Sequence, residues 1–206
     1  MSLRPITETR HAQPTMEGAG VHLHRAFGFQ DPSELDPFLL FDDFRNERPE
    51  DFLRGFPWHP HRGIETITYV LSGTVEHGDS LGNEGTLGAG DVQWMTAGSG
   101  ILHQEMPKGN ANGQMHGFQL WANLPSSLKM TAPRYQDVQG KDIPEIIDDD
   151  GTRVSTCRSL SSSALTITSS LNVPSARDHD VCRSGAIAVE SSAASRASSA
   201  RLKSRS

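Results

Sequence analysis

Apolar and polar positions alternate with a period of two over short stretches of this 206-residue chain, and glycines separate the stretches. Val21 to Phe29 (VHLHRAFGF) predicts a first short strand or edge, and residues 36–44 (DPFLLFDDF) form a compact apolar run ending in acids, as in a buried strand that leads into a loop. Glu65 to Leu71 is rich in β-branched and aromatic residues, and Gly73, Gly78, Gly82, Gly85, Gly88 and Gly90 follow at turn spacing. Residues 113–125 (GQMHGFQLWANLP) predict another strand, with Met115, Gly117, Gln119 and Trp121 on one face and His116, Phe118, Leu120 and Ala122 on the other. No helical period lasts long enough for a strand–helix–strand unit. The expected class is therefore all-β, antiparallel, with short strands and regular turns closing into a single jelly-roll barrel.

Composition sets the limits of that barrel. Every Phe, Trp and Tyr lies at or before Tyr135, so the remainder lacks the large side chains that dominate a core. We expect a polar N-terminal segment over 1–20, a barrel over 21–135 and an extended connector over 136–154. Residues 155–206 are Ser, Ala and Arg with isolated aliphatics, too little apolar surface to offset ~1–2 kcal/mol of backbone entropy per residue, and a disordered tail is expected there.

Charge divides at the same place. Residues 1–152 carry 11 Lys and Arg against 22 Asp and Glu, a net of −11, whereas 153–206 carry 8 against 3, a net of +5. An acidic body disfavours a phosphate-binding face, and the basic charges of the tail are scattered, so direct nucleic-acid binding is not expected. Cys157 and Cys182 both fall in the tail and read as reduced thiols rather than as a disulfide or zinc framework. Without a cleavable apolar leader or a run of ~18 apolar residues, the expected location is the cytoplasm and no membrane is involved.

The candidate chemistry lies in two pairs. His59 and His61 are two apart on an extended segment, so both rings leave one face and can converge on an ion at ~2.0–2.1 Å. His103 and Glu105 repeat the spacing on a second strand, expected to face the first across the barrel. Three imidazoles and a carboxylate leave coordination positions open, which suits Fe(II) with oxygen or a chelating substrate; Mn, Co, Ni, Cu or Zn also binds such ligands. Glu65 rivals Glu105, because its distance after His61 also suits a carboxylate ligand, and spacing alone leaves the choice open. His22 and His24 also have strand spacing, but no third ligand lies near them in the sequence.

Residues 55–107, GFPWHPHRGIETITYVLSGTVEHGDSLGNEGTLGAGDVQWMTAGSGILHQEMP, resemble the signature of the pirin family of cupins, and the flanking DPFLLFDDF and HGFQLWANLPSSLKMTAPRYQDV extend the resemblance over about 21–152. The resemblance implies a cupin barrel holding iron, Fe2+, on His59, His61, His103 and Glu105, with Glu65 outside the ligand set. It also implies a second, metal-free barrel after the connector. Beyond Gly151 to Val154 the text no longer resembles that second barrel, as a shifted reading frame or degenerate end would produce.

Several pirins are quercetinases and a mammalian one is a nuclear transcriptional cofactor, so two functions are implied. The first is a metal-dependent dioxygenase that opens a flavonol ring, with Glu105 as general base and Gln119 and Trp121 lining the pocket. The second is a non-catalytic regulator whose metal oxidation state alters a surface for a protein partner. A truncated, inactive product is the third reading.

Overall fold

The computed structural model describes residues 10–29 and 35–147, together with 153–155, 164–170 and 186–192. The chain divides into two units, residues 1–143 and 144–206.

Eleven strands build the described part of the first unit. They are β1 (Gln13–Glu17), β2 (Val21–Phe27), β3 (Phe38–Asp43), β4 (Phe56–His61), β5 (Ile64–Ser72), β6 (Thr74–Asp79), β7 (Glu84–Leu87), β8 (Val92–Thr96), β9 (Ile101–Lys108), β10 (His116–Asn123) and β11 (Arg134–Val138). A seven-stranded sheet runs β1-β2-β3-β10-β5-β8-β11 and a four-stranded sheet runs β4-β9-β6-β7, with antiparallel pairing throughout. From β3 to β10 the chain crosses to the other sheet at every connection except β6–β7, which is the jelly-roll pattern expected from the short strands.

The sheets enclose apolar side chains supplied by alternate positions. Val21, Leu23, Phe44, Phe52, Val70, Val75, Leu87 and Met115 form one buried cluster, with Phe56 packed on it, and Met95, Ala97 and Ile101 form another with Ile64. Two glycines let the backbones close. Gly73, between β5 and β6, has φ +81°, and a Cβ there would stand 2.6 Å from the Lys108 carbonyl oxygen. Gly55, just before β4, has φ +60°, and its Cβ would stand 2.7 Å from the Glu105 carbonyl oxygen.

The boundaries differ from the expectation at both ends. β1 lies within the segment read as polar lead-in, because its alternation (QPTME) is too weak to register until β2 pairs with it. β11 runs through Tyr135 to Val138, into the stretch read as connector, because pairing with β8 recruits polar residues that have no strand signal of their own.

In the second unit, β12 (Glu145–Ile147) pairs with β13 (Arg153–Ser155), and β14 (Ala164–Ser170) pairs with β15 (Ala186–Ser192). Those last two segments lie within the stretch expected as a disordered tail. Leu165 and Ile167 alternate with the β-branched Thr166 and Thr168, a local strand signal that composition over fifty residues averages away. The rest of the expected tail, with Cys157 and Cys182, lies outside the described residues.

Candidate metal centre

β4 and β9 are hydrogen-bonded neighbours in the smaller sheet, and His59 stands directly opposite His103 in their register. The two histidine-bearing strands are therefore adjacent in one sheet rather than facing each other across the barrel. An extra residue in β4 between Phe56 and His59 shifts the register and sets both histidines of the HPH run against β9. His59 Nε2 lies 3.0 Å from His61 Nε2 and 2.9 Å from His103 Nε2, and one nitrogen from each ring falls in a group no wider than 4.8 Å.

A neutral imidazole carries one ring proton, and at His59 the surroundings say where it sits. His59 Nδ1 is 2.8 Å from the Pro57 carbonyl oxygen and donates its proton there, which frees Nε2 as a lone-pair donor toward the group. Burial, and then the neighbouring rings of His103 and His59, push His61 down to about 4. Burial pushes His103 down to about 4 as well, against the pull of Glu105. Both rings are thus neutral near pH 7, the form that ligates metals. Two nitrogens each ~2.1 Å from an ion and at right angles to one another lie about 3 Å apart, so the donor set fits a single cation.

Alternation along β9 puts Glu105 on the same face as His103, but its carboxylate lies outside the three-histidine group. It accepts from Thr68 Oγ1 at 3.0 Å and from Gln119 Nε2 at 3.2 and 3.0 Å. Burial opposes its ionisation, yet His103, the Gln119 hydrogen bond and His59 together hold the carboxyl below the ordinary glutamate range. Glu65 goes the other way. It is one position out of phase with Thr66 and Thr68 on β5, so it leaves the opposite face and accepts from Thr96 Oγ1 at 2.7 Å. His22 is half exposed beside Asp51, at 3.6 Å, and His24 is exposed; neither joins the group.

A cavity of about 430 Å³ adjoins His59, His61 and Glu105. Its walls include Phe29, Leu40, Phe56, Gln119 and Trp121, and also Arg25, whose guanidinium grips both oxygens of Asp42 at 2.8 and 2.7 Å and reaches Glu17 at 2.9 Å.

Four residues of the site escaped sequence reading. Thr68 looked like an ordinary β-branched strand residue, and the Arg25–Asp42 pair joins β2 to β3 through a register that no local motif announces. His77 is buried on β6 opposite Glu105, stacks on Tyr135 at 4.4 Å and lies 5.7 Å from the His103 ring; its Nε2 is 3.8 Å from Asp79 Oδ2, and among the described residues neither nitrogen has a hydrogen-bond partner. Its alternation with Val75 and Asp79 was the available signal.

A jelly-roll of two antiparallel sheets with a histidine trio on one of them is the architecture of a cupin. The chain belongs to the pirin family, whose profile, described as Pirin, matches residues 20–122. A pirin-like protein of Caulobacter vibrioides is 49% identical over 154 residues, which are 75% of this chain and 55% of that protein. A quercetin 2,3-dioxygenase from Acinetobacter baumannii superposes with a TM-score of 0.68 at 34% identity, covering 80% of this chain and 62% of the other. The bacterial pirin YhhW from Escherichia coli, solved in complex with nickel(II), superposes at 0.50 with 26% identity, covering 77% of this chain and 73% of that one. The chain spans about half the length of the curated relatives it matches. Among the described residues, no helix is long and apolar enough to cross a membrane.

Proposed function

We propose that the chain binds one divalent metal ion, Fe2+ by preference, through His59, His61, His103 and Glu105, and opens a flavonol-like ring with dioxygen. The observation that carries this reading is the convergence of three Nε2 atoms, with separations of 2.9 and 3.0 Å about His59. Nitrogens this close could hold one divalent ion between them, and His59, His61 and His103 would be its imidazole ligands. When bound, the ion supplies Lewis-acid and redox chemistry.

The protein's own residues do the rest. The aromatic walls of Phe29, Phe56 and Trp121 stack a planar substrate and exclude water, and the held, ionised Glu105 takes the proton from its hydroxyl as general base. Arg25, already neutralised by Asp42 and Glu17, offers little to an anionic substrate, which favours a neutral aromatic one. The quercetin 2,3-dioxygenase likeness supports the same substrate class. Oxygen consumption with a flavonol tests the reading: the iron-loaded protein consumes oxygen and the metal-free protein does not, whereas equal rates would overturn it.

One observation favours a regulatory reading. Trp58 and Leu102, next in sequence to His59 and His103, are 55% and 48% exposed. An apolar surface one residue from two ligands is placed to report the oxidation state of the ion to a protein partner.

A further inference from the structure

We infer that Trp121 is a positioning residue for the Glu105 carboxylate and acts through the side-chain amide of Gln119. The inference rests on the reading of Glu105 as a metal ligand, and it starts from β10. Alternation puts Gln119 and Trp121 on one face of that strand, and Gln119 stands opposite Thr68 of β5 in the register. Trp121 Nε1 lies 3.1 Å from Gln119 Oε1. An indole nitrogen only donates, so the amide atom it meets must be the oxygen, and this settles which way round the amide sits.

With the oxygen committed to Trp121, the amide nitrogen faces the carboxylate. Gln119 Nε2 is 3.2 and 3.0 Å from the two oxygens of Glu105 and 3.3 Å from Thr68 Oγ1. Thr68 accepts there and donates its own O–H to Glu105 Oε1 at 3.0 Å. Every donor therefore points the same way, from Trp121 through Gln119 to Glu105, and the carboxylate is held as an acceptor at both oxygens. Without the indole N–H the amide loses its anchor, and the reversed orientation would set a carbonyl oxygen against a buried carboxylate.

The indole is itself well placed to serve as an anchor. Its ring meets His61 edge-on at 4.8 Å and Phe29 edge-on at 5.8 Å, so its N–H direction is fixed by packing on both sides. Groups that orient a ligand without touching the metal typically change metal affinity by ~10- to 100-fold. The rival account is that Trp121 only packs against His61 and walls the cavity.

Nickel(II) titration calorimetry of the full chain separates the two. Trp121→Phe keeps an aromatic ring in place and loses the donor, and we expect a roughly tenfold weaker nickel affinity. Gln119→Leu weakens it at least as much, and the double variant is no weaker than Gln119→Leu alone, because both act through one path. Unchanged affinity in Trp121→Phe, or additive losses in the double variant, would show that the indole acts by packing and overturn the proposal. Glu105→Gln belongs in the same series: if it leaves nickel affinity intact, Glu105 is not a ligand and the relay falls with that reading. A loss in Glu105→Gln with none in Trp121→Phe defeats the relay alone. Should Trp121→Phe not fold, the wild-type indole N–H resonance decides: slow exchange that becomes fast in Gln119→Leu supports the relay, and fast exchange in both refutes it.

Discussion

His59 and His103 face each other across the β4–β9 ladder, with their Nε2 atoms 2.9 Å apart. The proposed metal centre thus depends on two strands staying in register, and Gly55 is a position where a side chain would disturb that register. At φ +60°, with a Cβ position 2.7 Å from the Glu105 carbonyl oxygen, it admits no side chain without pushing β4 away from β9.

Gly55→Ala is therefore expected to cost about 2 kcal/mol or more of stability and to weaken metal binding as well. Gly82→Ala is the control, since Gly82 also has positive φ (+85°) but open space around it, and about 1 kcal/mol with metal affinity intact is expected. Urea unfolding and metal titration of the two variants make the comparison, and equal effects on the metal would contradict the role given to the ladder.

His61→Ala should remove most of the bound metal from a protein that otherwise holds about one ion per chain, because only two imidazoles would remain. Elemental analysis of the purified variant checks this. Full occupancy in His61→Ala would move the site elsewhere.

The two candidate carboxylates should separate. Glu105→Gln is expected to lose more metal than Glu65→Gln, because Glu65 leaves the other face of β5 toward Thr96. Glu65→Gln should affect mainly stability, by about 1 kcal/mol, through that buried hydrogen bond. The opposite order of metal loss would reinstate Glu65.

Acid should destabilise the metal-free protein before ordinary carboxylates titrate. The folded-state values of His61 and His103, about 4, lie below the 6.5 of a free imidazole, so between those values the unfolded chain binds more protons. Stability is therefore complete above pH 6.5 and falls as the pH drops toward 4. Two such groups predict a loss of about 2 kcal/mol between pH 7 and 5.5. Urea midpoints of the metal-free protein measure it, with a smaller loss in His103→Gln, and a flat profile over that range would argue against buried neutral histidines.

Much of this architecture was legible in the sequence, for reasons that show where legibility ends. Alternation along β9 and β10 announced that His103 pairs with Glu105 on one face and Gln119 with Trp121 on another, since side-chain direction in a strand is a local property. The same parity argument, applied to β5, would have separated Glu65 from Thr68. It needed to be known which face of β5 turns inward, and only the neighbours β8 and β10 fix that. That β4 lies beside β9, rather than across from it, is a long-range pairing with a one-residue irregularity, and neither strand carries a mark of the other. β11 and β1 went unread because their strand character comes from the partner, while the β14–β15 pairing involves a local alternation hidden within a Ser- and Ala-rich background.

X-ray absorption at the iron edge of the iron-loaded chain reads the ligands of the bound ion. Nitrogen and oxygen neighbours with the outer scattering of about three imidazole rings are expected, reduced in His61→Ala. A spectrum of iron ligated by water and carboxylate alone, without imidazole scattering, would contradict the proposed site.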